Sequence, residues 1–259
     1  MQPNAFRHRM VVYGFVTLML VPIVATFIYS ISTRWGATVL PDGLTFDWYI
    51  SLFSELRFLE AFGRSLLVSF GALALSVAVV LPAMFVVFYY FPQLDRLMNL
   101  LILLPFAVPP VVSSVGLLQL YADSPIAGSA WILIGTYFTI ALPFMYRAIA
   151  NNFAAIHLQD LMDAAHLLGA TTRQAFFFII VPNLKKGLLS ALFLSFSFLL
   201  GEFVFANILV GTRYETLQIY LYNMRQTSGH FTSALVMTYF LFIFLLTWLA
   251  ARLSRGGQA

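Results

Sequence analysis

Charged residues are scarce in this 259-residue chain, where Asp, Glu, Lys and Arg together make up 9% against 61% hydrophobic residues. That is too little polar surface to cover a water-facing globule, so a soluble single-domain protein is excluded. Cysteine is absent altogether, which excludes disulfides and thiolate metal sites and leaves the redox compartment unread. No G-x-x-x-x-G-K-[ST] stretch occurs, so the chain does not bind and hydrolyse ATP through that phosphate-cradling loop. Basic clusters are lacking as well. Only Lys185 and Lys186 are adjacent, so the net charge of +4 does not point to a nucleic-acid partner.

What the sequence has instead is long apolar runs. A spanning helix needs about 20 mostly apolar residues, and six runs qualify, at roughly 11–31, 65–91, 98–121, 130–150, 187–210 and 232–251. The expected fold is therefore an all-α membrane protein with six transmembrane helices in one domain over residues 1–259, its partner surface the lipid bilayer. The 27 phenylalanines suit lipid-facing helices and interfacial belts. Arg7 and Arg9 precede the first run as they would a secretory signal. The run exceeds the ~7–15 apolar residues of such a signal and lacks a small-residue cleavage site, so it reads as a retained anchor.

Lys and Arg positions give the orientation. With a cytoplasmic amino terminus, six crossings return the carboxyl terminus to the same side. The inside then holds Arg7, Arg9, Arg96, Arg147, Arg173, Lys185, Lys186, Arg252 and Arg255, and the outside Arg34, Arg57, Arg64, Arg213 and Arg225. This excess obeys the positive-inside rule. The longest outer connection, 32–63, predicts an amphipathic helix over 48–58, and the segment 211–231 predicts another over the mouth. Both read equally as docking sites for an outer partner and as interfacial helices.

The connection 156–182 would then lie inside, and it carries the stretch "DAAHLLGATTRQAFFFIIVP". Leu161, Ala164, Ala165 and Leu168 recur at helical spacing, and Asp160 and Asp163 lie near the helix start, where the macrodipole favours negative charge. Gly169 supplies a residue that ends the helix, and Thr171 or Thr172 caps the next. The aromatic segment that follows stops at Pro182. Periodicity alone leaves two readings open, a docking knob and a loop lying on lipid headgroups.

The same stretch resembles the "EAA" loop of permease subunits of ATP-binding cassette importers. In that pattern Glu-Ala-Ala is followed after three residues by Gly-Ala, then by Phe, Ile and Leu-Pro at fixed spacing. Asp163, Ala164, Ala165, Gly169, Ala170, Phe176, Ile179 and Pro182 fall on it. Asp163 replaces the glutamate, Val181 the leucine, and His157 stands where proline is frequent. "LILLPFAVPPVV" is similar to the proline-bearing third span of these permeases. "RSLLVSFGALALSVAVVLPAMF" is similar to the second, with Arg64 where asparagine is common, and "GEFVFANILV" to the fifth span of the sulfate, molybdate, polyamine and phosphonate branches. The resemblance implies a non-catalytic subunit of an inner-membrane importer. ATP and Mg would sit on partner ATPase subunits, and this chain would bind no cofactor. A second permease, expected to be a different chain, and an extracytoplasmic substrate-binding protein complete the implied partners. Asp163, Ala164, Ala165, Gly169, Ala170, Phe176 and Pro182 would couple the chain to the ATPase.

Within the spans, Glu202 is the one formal charge away from a helix end. A carboxylate there costs about 2.5–3.5 kcal/mol, so it needs a partner or a wet cavity. Two readings stand: a wall residue of the translocation path, or a packing hydrogen bond, with Arg64 as a partner within reach. Pro109, Pro110, Ser113, Ser114 and Asn207 are further candidates for the path. His166 has no second ligand at helical spacing and is no metal site. A secondary carrier or channel would show an inverted repeat and several intramembrane charges, neither of which is visible. An embedded enzyme would need convergent catalytic groups, and the sequence offers none.

Overall fold

A computed structural model describes residues 4–36, 38 and 40–255, and among these every named element is a helix. An isolated antiparallel bridge pairs Ser32 with Leu44. Helices are what the bilayer allows, because each backbone N–H and C=O must there be satisfied within its own segment. In chain order they are α1 (Asn4–Ser30), α2 (Asp47–Ser54), α3 (Leu56–Tyr90), α4 (Asp95–Ala107), α5 (Pro110–Leu120) and α6 (Ala130–Ala155). There follow α7 (Leu158–Leu167), α8 (Thr172–Ala175), α9 (Val181–Leu200), α10 (Val204–Leu209), α11 (Leu217–Met224) and α12 (Gly229–Arg255).

Among the described residues, four helices are long and apolar enough to cross a membrane alone: α1 over His8–Ser30, α3, α6, and α12 over Gly229–Arg252. Two bent pairs raise the total to as many as six. Pro92–Ala107 and Pro110–Leu120 meet at 92°, and Thr172–Lys185 and Gly187–Leu200 at 62°.

Three of the expected runs change shape. The run 98–121 is two helices rather than one. Proline disfavours helical backbone in the residue before it and supplies no N–H itself. Pro109 thus sets Val108 extended at ψ 128°, and Pro110 does the same to Pro109 at ψ 136°. The run 187–210 ends as a helix at Leu200, ten residues early, with Gly201 as its C-cap. The second span starts at Leu56 rather than 65, so the helix expected over 48–58 is divided at Glu55, whose extended backbone ends α2.

The chain forms two units. The first comprises Met1–Leu59 and Tyr220–Phe242. In it, the His230 ring stacks on Tyr29 at a centroid distance of 4.1 Å and on Trp48 at 5.6 Å. Nδ1 of His230 lies 2.9 Å from the Tyr29 carbonyl, at the end of α1 where carbonyls lack helical partners. Tyr220, fully buried on α11, donates to Glu55 across 2.7 Å. The second unit comprises Glu60–Ile219 and Ile243–Ala259. Its main helix pair is α6 with α9. Gly187, Ala191 and Ser195 recur every fourth residue on α9, and Ala191 and Ser195 are buried. Such small residues let helix backbones approach closely in lipid. A Cβ on Gly187 would overlap the Asn152 amide of α6.

Candidate functional site

The residues expected to form the coupling loop lie on α7, in the turn between α7 and α8, in the turn Phe176–Ile180 and at the start of α9, all in the second unit. His157 adopts a left-handed backbone at φ 50°, which swings the chain out of α6 into α7. The buried face of α7 is Leu158, Met162 and Ala165. This differs from the stripe expected over Leu161, Ala164, Ala165 and Leu168, since Ala164 and Leu168 are exposed. Apolar residues occupy two faces of this short helix, whose neighbours are α6, α8 and the turn Phe176–Ile180, and packing among them buries the face that includes Met162. Asp163 is exposed beside Ala164, whereas Ala165 is 2% exposed.

At its tip the loop presents bare apolar side chains. Leu167 and Leu168 are 89% and 88% exposed, next to an exposed Gly169 at φ 82°. Ala170 follows, half-buried, and its N–H bonds to the Ala165 carbonyl at 3.0 Å. Thr171 then forms a capping box with Gln174: the Gln174 N–H bonds to the threonine hydroxyl at 3.3 Å, and the glutamine side chain accepts the Thr171 N–H at 2.8 Å. His166 approaches the Thr172 hydroxyl at 3.3 Å.

The base of the loop is anchored on the ends of the long helices. Phe176 is buried against Phe85 of α3, with ring centroids 4.8 Å apart. Phe88 of α3 meets Phe153 of α6 at 5.6 Å, and the Gln159 amide reaches the last-turn carbonyls Phe88 and Tyr89. Pro182 does not stop the helix as its residue type suggested. A π turn over Phe176–Ile180 widens the backbone just before it, and Pro182 sits in the first turn of α9. The N–H that proline lacks is thereby dispensed with, and the Asn183 amide donates to the Ile179 carbonyl at 2.8 Å.

The path candidates divide between two recesses. A cavity of about 470 Å³ lies among α4, α5, α6, the end of α9 and α10, and Pro110, Ser113 and Glu202 line it. Most of its wall is apolar, with Thr136 and Thr139 of α6 adding hydroxyls. Pro109 lies at the exposed bend outside it. Ser114 is fully buried and donates to the Pro110 carbonyl at 2.6 Å, so it stabilises the helix start instead of facing a pore. Asn207 lines a separate recess.

Glu202 lies in the break between α9 and α10, not within a helix. Its two carboxylate oxygens accept the N–H groups of Phe205 at 2.9 Å and Ala206 at 3.1 Å, donors that the first turn of α10 leaves unsatisfied. Tyr137 of α6 donates to the same carboxylate at 3.1 Å. Arg64 is not its partner, because Arg64 pairs with Glu60 at 2.9 Å and lies over the Tyr214 ring. Sequence reasoning missed Tyr137, although a phenol in the middle of an apolar run is itself a polar group needing a partner. It also missed Asp95 in the first turn of α4, to which the buried Tyr146 of α6 hydrogen-bonds.

Comparison with known proteins supplies the context for these features. Residues 72–256 match the family model described as "Binding-protein-dependent transport system inner membrane component". The chain is 23% identical over 212 residues to PhnV of Salmonella typhimurium, named as a permease of a 2-aminoethylphosphonate transport system, covering 81% of this chain and 79% of the relative. It is 26% identical over 226 residues to the spermidine/putrescine transport system permease PotC of Haemophilus influenzae, covering 86% and 84%. The fold is similar to a chain in the crystal structure of a bacterial ABC transporter involved in importing the acidic polysaccharide alginate. There the TM-score is 0.77 at 14% identity, covering 96% of this chain and 95% of that one.

Proposed function

This chain belongs to the family of binding-protein-dependent transport system inner membrane components, and we propose that it forms half of the translocation path for a small polar solute, a polyamine, an aminophosphonate or a related compound. It is a multi-pass inner-membrane permease of an ABC importer. In our reading residues 1–259 make one transmembrane domain of six crossings: α1, α3, the bent α4–α5 pair, α6, α9 and α12. Both termini face the cytoplasm, which puts Arg147, Arg173 and Lys185 on the inner side with α7. A second permease of different sequence completes the path, an extracytoplasmic binding protein delivers the solute, and ATP with Mg is bound and hydrolysed on partner ATPase subunits.

The observation that carries this reading is the bare Leu167–Leu168 tip on a base anchored to three long helices. An apolar tip this exposed on a water-facing loop calls for a protein groove to receive it. Asp163, Ala164, Gly169 and Ala170 surround the contact, while Ala165, Phe176 and Pro182 hold the loop to the bundle. Displacing the tip therefore displaces α3, α6 and α9 together. ATP binding shifts the spans only through contacts that differ between the inward- and outward-open arrangements, and this joint supplies them. At the other end, Pro110, Ser113 and Glu202 line the path near the 92° bend, with Pro109, Ser114 and Asn207 supporting it. The test is co-purification. Replacing Leu167 and Leu168 together by Asp should leave the permease in the membrane and abolish recovery of the ATPase; undiminished recovery would refute the assignment.

A further inference from the structure

Near the end of α10 lies a recess of about 430 Å³, bounded on one side by Leu118, Ala122 and Gly128 and on the other by Asn207, Thr212 and Arg213. Two glycines with left-handed backbone shape it. Gly211, at φ 50°, opens the turn Gly211–Tyr214 that carries Arg213, and Gly128, at φ 67°, stands two residues before α6. A Cβ on Gly128 would lie 3.2 Å from Cδ and 3.3 Å from Nη1 of Arg213, so the missing side chain is what admits the arginine here.

Arg213 also differs from three other arginines of the chain in how it is engaged. Arg57, Arg64 and Arg225 each lie over a tyrosine ring, and Arg64 has a carboxylate partner as well. Among the described residues, no carboxylate pairs with Arg213, and no hydrogen bond engages its guanidinium, the Asn207 amide or the Thr212 hydroxyl. Asp123, between α5 and α6, makes no ion pair among the described residues either. Three side chains able to donate hydrogen bonds, all of them exposed to solvent, thus line one open recess without a protein acceptor. A guanidinium presents its donors in a planar fork that matches a phosphonate or carboxylate. The recess has the volume of a small-molecule site, about 300–1,000 Å³.

We infer that this recess receives the anionic group of the transported solute, a phosphonate or carboxylate, with Arg213 as its cation and Asn207 and Thr212 as neutral donors. The inference rests on the reading of the chain as a permease for a small polar solute and narrows it: polyamines offer nothing to Arg213, whereas an aminophosphonate does.

The test is uptake by the complete importer in proteoliposomes, with 2-aminoethylphosphonate and putrescine as probes and assembly of all subunits checked by size-exclusion chromatography. The wild type should take up the phosphonate. Arg213→Gln should lower the rate by about tenfold, the scale of one charge-assisted hydrogen bond, with Arg213→Lys retaining more. Gly128→Ala, which crowds the arginine without removing it, should fall between them. An assembled Arg213→Gln complex that still imports the phosphonate at the wild-type rate overturns the inference and leaves the permease reading intact. A wild type that imports putrescine alone overturns the inference and keeps the proposed solute class, whereas one that imports neither probe overturns both. Loss of uptake accompanied by loss of binding-protein capture would mean that Arg213 holds an acidic residue of that protein, which also overturns the inference.

Discussion

The phenol of Tyr137 donates a hydrogen bond to the Glu202 carboxylate across 3.1 Å, tying α6 to the break that separates α9 from α10. The same carboxylate satisfies two backbone N–H groups of α10. Removing Tyr137 therefore deletes one bond of three, while removing Glu202 strands three part-buried donors, two backbone N–H groups and the Tyr137 hydroxyl. Tyr137→Phe should cost about 1 kcal/mol and Glu202→Ala about 3 kcal/mol, given about 1–3 kcal/mol for each unsatisfied buried group. Thermal unfolding of the assembled complex measures both. Equal losses would show that the capping bonds contribute nothing.

Gly187 and Asn152 offer a test of coupling between helices. Gly187→Ala places a methyl group where the Asn152 amide now lies, so it should destabilise the α6–α9 pair. Asn152→Ala makes room. The double variant should then recover most of the loss, with an interaction energy of about 1–3 kcal/mol in a double-mutant cycle. Simple additivity of the two changes would contradict this packing.

At Gly169 the constraint is the backbone, because nothing lies within 4 Å of a Cβ built there. With φ at 82°, a β-branched residue is strained by about 1–2 kcal/mol, and asparagine by less. Gly169→Val should impair solute-stimulated ATP hydrolysis more than Gly169→Asn does, although asparagine is the more polar. The reverse order would point to a side-chain contact at this position.

Phe176 anchors the loop base against Phe85. Truncation of a buried phenylalanine costs about 3–5 kcal/mol in a packed core. Phe176→Ala should loosen the joint without touching the exposed tip, so the ATPase should still co-purify while uptake falls. Loss of both together would place Phe176 in the contact itself.

The helical class and the positions of α1, α6 and α12 were legible because lipid-facing helices need long apolar runs and little else. The break at Gly169 was legible too, and the cap was narrowed to Thr171 or Thr172, of which the structure uses Thr171, since positive φ and N-capping depend on local chemistry. Less was readable where packing decides among local options. Pro109 and Pro110 were visible inside the run 98–121, but neighbouring helices set whether such a pair leaves one kinked span or the observed 92° bend. At Pro182 the residue type argues for a stop, yet the π turn before it carries the chain into α9. Around α7, Met162 is buried and Leu168, just past the helix end, exposed because α6, α8 and the turn Phe176–Ile180 choose which apolar face to cover. Glu202 was visible as a charge needing partners, but Tyr137 is 65 residues away, and only the packing of α6 brings it there.

The most direct test uses the cysteine-free sequence as its background. In Leu168→Cys the single thiol sits at the exposed tip of the loop. A membrane-impermeant maleimide should label it in inside-out vesicles lacking the ATPase, and added ATPase should protect it. Labelling from the periplasmic side of spheroplasts, or no protection by the ATPase, would contradict the account.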